Sequence, residues 1–440
     1  MKKLSLFLVF ILSVSLLAAC NSGSSGSGSG SSGSGGDSGG AVASGDSVHL
    51  VYWSMWNNTE AQATVLEQGI RDFEAKNPGV TVEINWAGRE IRQTLSPAID
   101  NGTVIDIFDE DTERVYSMWG NYILNLTSYY DNTYPTTGGA AYKNSAMSAL
   151  QELSRSLSPD GGLYTVGYQP FAFIFMYNTS HFADAGIAST PKTWDEFLDA
   201  CAKLKAAGHT PLTSDNEYIS GLFGYHLSRL KGVDFGNELV TNGGSLWDDP
   251  AVLEAARAIE TLASNGYFDR NTEGNIWPAG QQDIALGNVT MYLNGSWLVN
   301  EIMGSTGPDF PWGQFNYPGV PGGGGVGIEA ANFGSQAFAI NKNCANPDVA
   351  FALLAHLTSG EWDAKLAQES FGIPVGGSTD WPVQLADAKA VFNSLTTVMP
   401  WVGGVENDTD VGPIVRQNVQ KLAGGTITAE QFVENCKAGN

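Results

Sequence analysis

Val48-His49-Leu50-Val51-Tyr52-Trp53 is a β-like run, and it is followed by the polar stretch Ser54 to Asn58 and an amphipathic segment with Leu66, Ile70 and Phe73 on one helical face. Asn77-Pro78-Gly79 breaks that segment, and Val80 to Ile84 reads as a second strand. A helical stretch then runs to about Ile99, and Val104 to Phe108 reads as a third short strand. Strands and helices alternating at this length predict an α/β fold with a parallel sheet and crossover helices. In such sheets the functional groups gather at the carboxyl ends of the strands. Those ends are Trp56-Asn57-Asn58, Trp86 to Arg89, and Asp109 to Arg114.

Further along, Leu163 to Gly167 and Phe171 to Asn178 are long apolar runs that read as strands passing between two parts of the molecule. Thr193 and Glu196 form a capping box that opens a helix with Trp194, Phe197, Leu198, Cys201 and Leu204 as its buried stripe. Asp249-Pro250 opens another helix, and Asn346-Pro347 a third that carries Ala350, Leu353, Leu354 and Leu357. The Gly-rich stretch Pro318 to Gly327 separates the region of Trp297 from a strand at Ala337 to Ile340 and suits a crossing between domains.

A chain of 440 residues is too long for one ordinary core. Its formal charge of −24 repels phosphate backbones, which argues against nucleic acid as a partner. Only 15% of residues are charged, while there are 53 Gly and 12 Trp, a composition suited to a polar, weakly charged ligand outside the cytoplasm. Lys2 and Lys3 followed by the apolar Leu4 to Leu17 form an export signal, too short for a confident membrane span. Leu17-Ala18-Ala19-Cys20 resembles a bacterial lipobox, which makes Cys20 the expected lipidated residue and membrane anchor. From Asn21 to Gly40 every residue except Asn21 and Asp37 is Gly or Ser, a tether spanning about 25–30 Å by the time it reaches Gly45. With Cys20 lipidated, Cys201, Cys344 and Cys436 remain, so a monomer keeps at least one free thiol, and no metal-type spacing occurs.

Met291-Tyr292-Leu293-Asn294-Gly295-Ser296-Trp297 joins an apolar strand, a Gly turn and a Trp at a helix start. A flat, rigid indole either packs in the core or covers the C–H face of a sugar ring. Together with Tyr177-Asn178, the Pro191 to Phe197 capping box, Asn346-Pro347 with its helix, the opening strand–loop–helix and the lipobox, this motif makes the chain from Val48 onward resemble the extracellular solute-binding proteins of bacterial ABC importers. The likeness is to their carbohydrate-binding, maltose-binding-protein-like branch. It implies a two-lobed periplasmic-binding-protein-like (type II) fold, each lobe a mostly parallel sheet flanked by helices, with a sugar held between lobes. The expected domains are a leader at 1–19, a lipidated linker at 20–47, lobe 1 at 48–168 and 318–358, and lobe 2 at 169–317 and 359–440.

Within that resemblance Trp297 matches the family's stacking Trp, preceded by Asn294, and Tyr218 matches an aromatic of the second lobe's cleft wall, with Asp215 and Glu217 near it. Trp56, Asn57 and Asn58 match a polar contacting loop, to which Asn brings both donors and acceptors. Trp86 and Arg89 close the second strand, Glu110, Asp111, Glu113 and Arg114 follow the third, and Trp401 and Asp410 precede the final helix. A solvated acidic helix start explains the acids equally well. Ser189 to Lys192 and Ser214-Asp215-Asn216 imitate β-lactamase motifs, but Pro191 interrupts the first and no Lys-Thr-Gly follows. The expectation is therefore a monomeric, lipid-anchored oligosaccharide receptor on the outer face of the cell membrane, or its periplasmic face where an outer membrane exists. It would deliver sugar to ABC permease subunits, with no cofactor, no metal and no catalysis. A surface-anchored glycoside hydrolase is the alternative, since paired carboxylates suffice for that chemistry.

Overall fold

The computed structural model describes residues 47–440; the leader, Cys20 and almost all of the tether lie outside the described residues. Ten strands occur among the described residues: β1 (Val48–Ser54), β2 (Val80–Trp86), β3 (Ile107–Asp111), β4 (Val166–Asn178), β5 (Thr210–Thr213), β6 (Val289–Gly295), β7 (Trp312–Phe315), β8 (Ala330–Ala331), β9 (Phe333–Ile340) and β10 (Thr397–Val398). The main sheet has the order β2-β1-β3-β9-β4-β6-β5, with β7 also on β4. It is mixed. β2, β1 and β3 are mutually parallel, as are β5 and β6, whereas β9 and β4 run antiparallel to their neighbours.

The helices divide between two hydrophobic cores. α1 (Ala61–Lys76), α2 (Ile91–Asp100), α3 (Thr112–Trp119) and α4 (Ser148–Leu157) contribute to the first, around Leu50, Tyr52, Ile70, Phe108 and Trp119. α5 (Thr179–Asp184), α6 (Trp194–Ala206), α7 (Ser220–Lys231), α8 (Phe235–Asn242), α9 (Pro250–Ser264), α10 (Ala279–Ala285) and α11 (Leu298–Thr306) build the second, around Phe173, Phe175, Phe197 and Trp247. The chain then returns to the first core with α12 (Pro347–Leu357) and α13 (Glu361–Glu369), through Phe351, Leu354, Trp362 and Leu366. It finishes on the second with α14 (Ala386–Ser394), α15 (Val411–Ala423) and α16 (Ala429–Gly439). None of the described helices is long and apolar enough to cross a membrane.

The capping residues act where their chemistry places them. Thr193 and Glu196 close a full capping box on α6, and the Asp249 carboxylate accepts from the Ala251 N–H at the start of α9. Cys201 and Cys436 are buried apolar fillers, and burial pushes the Cys436 thiol up to about 12. The third strand departs from expectation. It covers Ile107–Asp111 and leaves Val104 exposed, because the acids that read as a loop are partnered inside the sheet.

Three segments pass between the cores. In β4, Val166 to Ala172 pair with β9, and Phe173 onward pair with β6 and β7. β9 starts beside Ala172 and ends beside Ile107. The third passage follows α13, where Ile373 joins the second core and Val375 the first. The β4 register shifts between Tyr168 and Pro170, where Gln169 has φ +45°, and Phe371 on the third passage has φ +51°. Gln169 Nε2 donates to Ser370 Oγ at 3.1 Å, tying two of the passages together at their left-handed residues.

Candidate ligand cleft

Asp109 organises the carboxyl end of the first parallel strands. Fully buried, its carboxylate accepts from the Met55 N–H at 2.8 Å and from the Tyr168 hydroxyl, which in turn accepts from the Trp56 indole N–H at 2.7 Å. Burial is the main cause that lifts its carboxyl from 3.8 to about 7, against the lowering effect of those hydrogen bonds. The consequence is a fixed loop. Trp56 is only 7% exposed, and Arg89 lies over its ring at 4.8 Å. Arg89 also donates to both Glu60 oxygens, at 2.8 and 2.9 Å, and to the Met55 carbonyl at 2.7 Å. Glu60 accepts from the Asn57 backbone and amide, so Asn57, Arg89 and Trp56 form one connected group, with Asn58 exposed beside them.

The acids after the third strand are used differently. Glu110 is buried, and although burial raises its carboxyl, Arg92 and Arg114 outweigh that and hold it below the ordinary range. Asp111 caps α3 through the N–H groups of Glu113 and Arg114. Neither Glu110 nor Asp111 is free to serve a ligand in this conformation. Trp86 sits at the end of β2 with its ring edge-on to Tyr52.

On the second core the structure brings together Tyr218, Trp297 and Trp401. Trp297 and Trp401 have ring centroids 6.3 Å apart, and Tyr218 lies 6.2 Å from the first and 6.1 Å from the second. Phe171 and Phe173 complete the group at 5.4 and 6.4 Å from Trp297. All three sequence-derived aromatics are half-buried, which leaves ring surface for a ligand. A Cβ on Gly295 would fall 2.2 Å from ring atoms of Trp297, so the Gly turn is what lets the indole fold back over the strand end. Asn294 is fully buried, with its Nδ2 unpaired and its Oδ1 accepting from the Gly295 N–H.

Trp401 is placed by its own loop. Val402 and Gly403 take left-handed backbone angles, and their carbonyls press on Gly224 of α7 and Gly236 of α8, where a Cβ would fall 1.8 and 2.0 Å from them. Arg229, 1% exposed and without a carboxylate partner, donates to the carbonyls of Tyr317, Pro318 and Ala330 and touches the Met399 sulfur two residues before Trp401. Asp410 is exposed at the start of α15, where its N–H donates to Asp408.

A cavity of about 700 Å³ lies between the Asn57 and Arg89 group and the helices α10 and α11 of the second core. Asn57, Glu60 and Arg89 line one wall, Trp277, Gln281, Asn300 and Glu301 the other, and Glu369 and Phe371 also border it. Its size is that of a small-molecule site. Glu301 stands one helical turn after Trp297, its N–H donating to the Trp297 carbonyl. It retains exposed surface yet sits in a recess. Burial pushes its carboxyl up to about 7, opposed by a hydrogen bond from Gln281 and by Arg89, and reinforced by Asp215 and Glu60. Asp215 lies at about 6, raised mainly by burial, and accepts from the Tyr292 hydroxyl at 2.6 Å. Sequence reasoning missed Glu60, Glu301 and Trp277; each belongs to a helix or turn whose pattern shows no chemistry until the two walls face each other. Among the described residues no group of three or more His, Cys, Asp or Glu could hold a metal ion.

The family model described as bacterial extracellular solute-binding protein matches residues 56–364, most of the chain and both cores. The chain belongs to that family. It is similar to the multiple sugar-binding protein of Streptococcus mutans, 24% identical over 353 residues that cover 78% of this chain and 76% of that one. It is also 24% identical, over 258 residues covering 57% of this chain and 51% of the relative, to the sn-glycerol-3-phosphate-binding periplasmic protein UgpB of Agrobacterium fabrum. Among solved structures, a chitin oligosaccharide binding protein superposes with a TM-score of 0.67 at 24% identity, over 90% of this chain and 98% of that one. The extracellular solute-binding fold is therefore the fold of this chain. The family and these relatives are binding proteins, so the hydrolase alternative is set aside.

Proposed function

We propose that this solute-binding protein captures uncharged oligosaccharides in the cleft between its cores and hands them to the permease of an ABC importer. The observation that carries this reading is the convergence of Tyr218, Trp297 and Trp401 on one aromatic surface, one helical turn from Glu301 of the cavity wall. Flat rings cover the C–H faces of sugars, while the amides of Asn57, Asn300 and Gln282 and the carboxyl of Glu301 supply donors and acceptors for hydroxyls. The relatives' names admit a sugar or a phosphate ester, and the charge of the cavity favours the sugar. Glu60, Glu301 and Glu369 face a single cation, Arg89, and both Arg89 donor arms are already taken by Glu60 and Met55. A phosphate would meet three carboxylates and no free guanidinium.

On this reading lobe 1 extends past residue 358 to include α13 and Val375, because Trp362, Leu366 and Val375 pack with α1 and α12. Lobe 2 likewise takes in Ala330, Ala331 and Phe333, which the expected boundaries gave to lobe 1. Lipid attachment at Cys20, a monomeric state, and ligand contact by Trp56, Asn57, Asn58, Trp86, Arg89, Glu113, Arg114, Tyr218, Asn294, Trp297, Trp401 and Asp410 belong to the same proposal, without Glu110 and Asp111, whose carboxylates are taken by Arg92, Arg114 and the start of α3.

The test is a thermal-shift screen with chito-, malto-, xylo- and fructo-oligosaccharides and with sn-glycerol 3-phosphate. Ligand at a hundredfold excess over its dissociation constant stabilises by about 2.7 kcal/mol, which is readily seen. Stabilisation by at least one oligosaccharide and none by the phosphate ester is expected. Stabilisation by the phosphate ester alone would contradict the assignment, and shortening of the bound sugar on prolonged incubation would restore the hydrolase.

A further inference from the structure

Trp277 takes no part in either group of residues described above, yet it lines the cavity and is 45% exposed, alongside Ile276 at 65%. Adjacent exposed apolar side chains rimmed by polar groups mark a binding surface. Its ring packs against none of the rings around Trp297, so it presents a separate face. Its backbone is anchored: the Trp277 N–H donates to Asn216 Oδ1 at 2.7 Å, and the following helix α10 packs on α11, which carries Asn300 and Glu301. Gln281, one turn into α10, donates to the Glu301 carboxylate. The ring is thus exposed but held on the same framework as the rest of the cavity wall.

We propose that Trp277 is a second stacking subsite at the rim of the cavity, covering an uncharged sugar ring of the same oligosaccharide whose other end reaches the Trp297 surface. This rests on the saccharide reading and adds to it a contact for a longer ligand, since Tyr218, Trp297 and Trp401 are not among the residues lining the cavity that Trp277 borders. Around Trp277 the cavity offers Gln282, Asn300 and Asn57 amides for hydroxyls. Its carboxylates disfavour an acidic ring at this position.

The experiment is calorimetric titration of wild type, Trp277→Ala, Trp277→Phe and Trp297→Ala with chito-, malto-, xylo- and fructo-oligosaccharides of two to five units. In a series that binds, wild-type affinity is expected to rise with length by about three- to tenfold at the step that reaches Trp277. Trp277→Ala should lose that step while binding the shortest member as wild type does, Trp277→Phe should keep part of it, and Trp297→Ala should weaken every length. Because Trp277 is exposed, its variants should melt close to wild type. Equal affinities for wild type and Trp277→Ala at every length would overturn the subsite while leaving the saccharide reading intact. No binding by wild type in any series would overturn both.

Discussion

Gly295 and Asp109 show how single residues fix the two walls. At Gly295 the absent side chain makes room for a ring, since a methyl group there would occupy the space of the Trp297 indole. Gly295→Ala is expected to push the indole off its seat and lower oligosaccharide affinity at least tenfold. The half-buried ring can swing into the cleft, so the melting temperature should change little. A variant that binds as wild type would show that the position of the Trp297 ring does not matter. Asp109 is a different case, a carboxyl that folding holds close to neutral pH. Its folded value near 7 lies above the ordinary 3.8, so its favourable contribution is complete below the ordinary value, declines as pH rises, and is gone once pH passes about 7. Urea unfolding of wild type against Asp109→Asn between pH 4 and 8 should show wild type losing about 2–4 kcal/mol relative to the variant. Carboxyls held low by partners, such as Asp72 and Asp160, are common to both proteins and cancel in the difference. A difference that stays flat with pH would mean that Asp109 is ionised in the fold throughout.

At the level of elements, the loop carrying Trp401 is moulded by the helices beneath it. Gly224 of α7 lets the Val402 carbonyl approach to a distance no side chain permits. Gly224→Ala sets a methyl group against backbone that cannot swing aside, so a loss of about 1–3 kcal/mol of stability is expected, together with weaker sugar binding through displaced Trp401. Thermal unfolding and calorimetry on the same preparation check both, and unchanged stability would show that the loop is free to move. Much at this scale was readable from the sequence. The capping box of Thr193 and Glu196 and the unbroken apolar run ending at Asn178 are local signals, and local signals survive folding. β3 was not readable in full. Its Asp109-Glu110-Asp111 end reads as a loop because the groups that neutralise it, Met55, Tyr168 and Arg92, are brought by other segments.

For the whole molecule, what the sequence could not show is which segments face each other across the cleft. Glu301 and Arg89 are more than two hundred residues apart in the chain, yet each bears on the other's surroundings. The same limit applies to the return of α13 to the first core, since its apolar stripe would suit either core and only packing against α1 decides. Three passages, two of them bearing left-handed Gln169 and Phe371, give the cores few places about which to move. A ligand that touches both walls favours the closed arrangement by its differential affinity for it, and closure is what a permease could read. Small-angle scattering of the protein with and without the oligosaccharide found in the screen, repeated on Trp297→Ala, tests this most directly. The account predicts that wild type contracts on adding the sugar and that Trp297→Ala does not at the same concentration; a sugar that binds tightly without contraction, or a contraction that survives loss of Trp297, would contradict it.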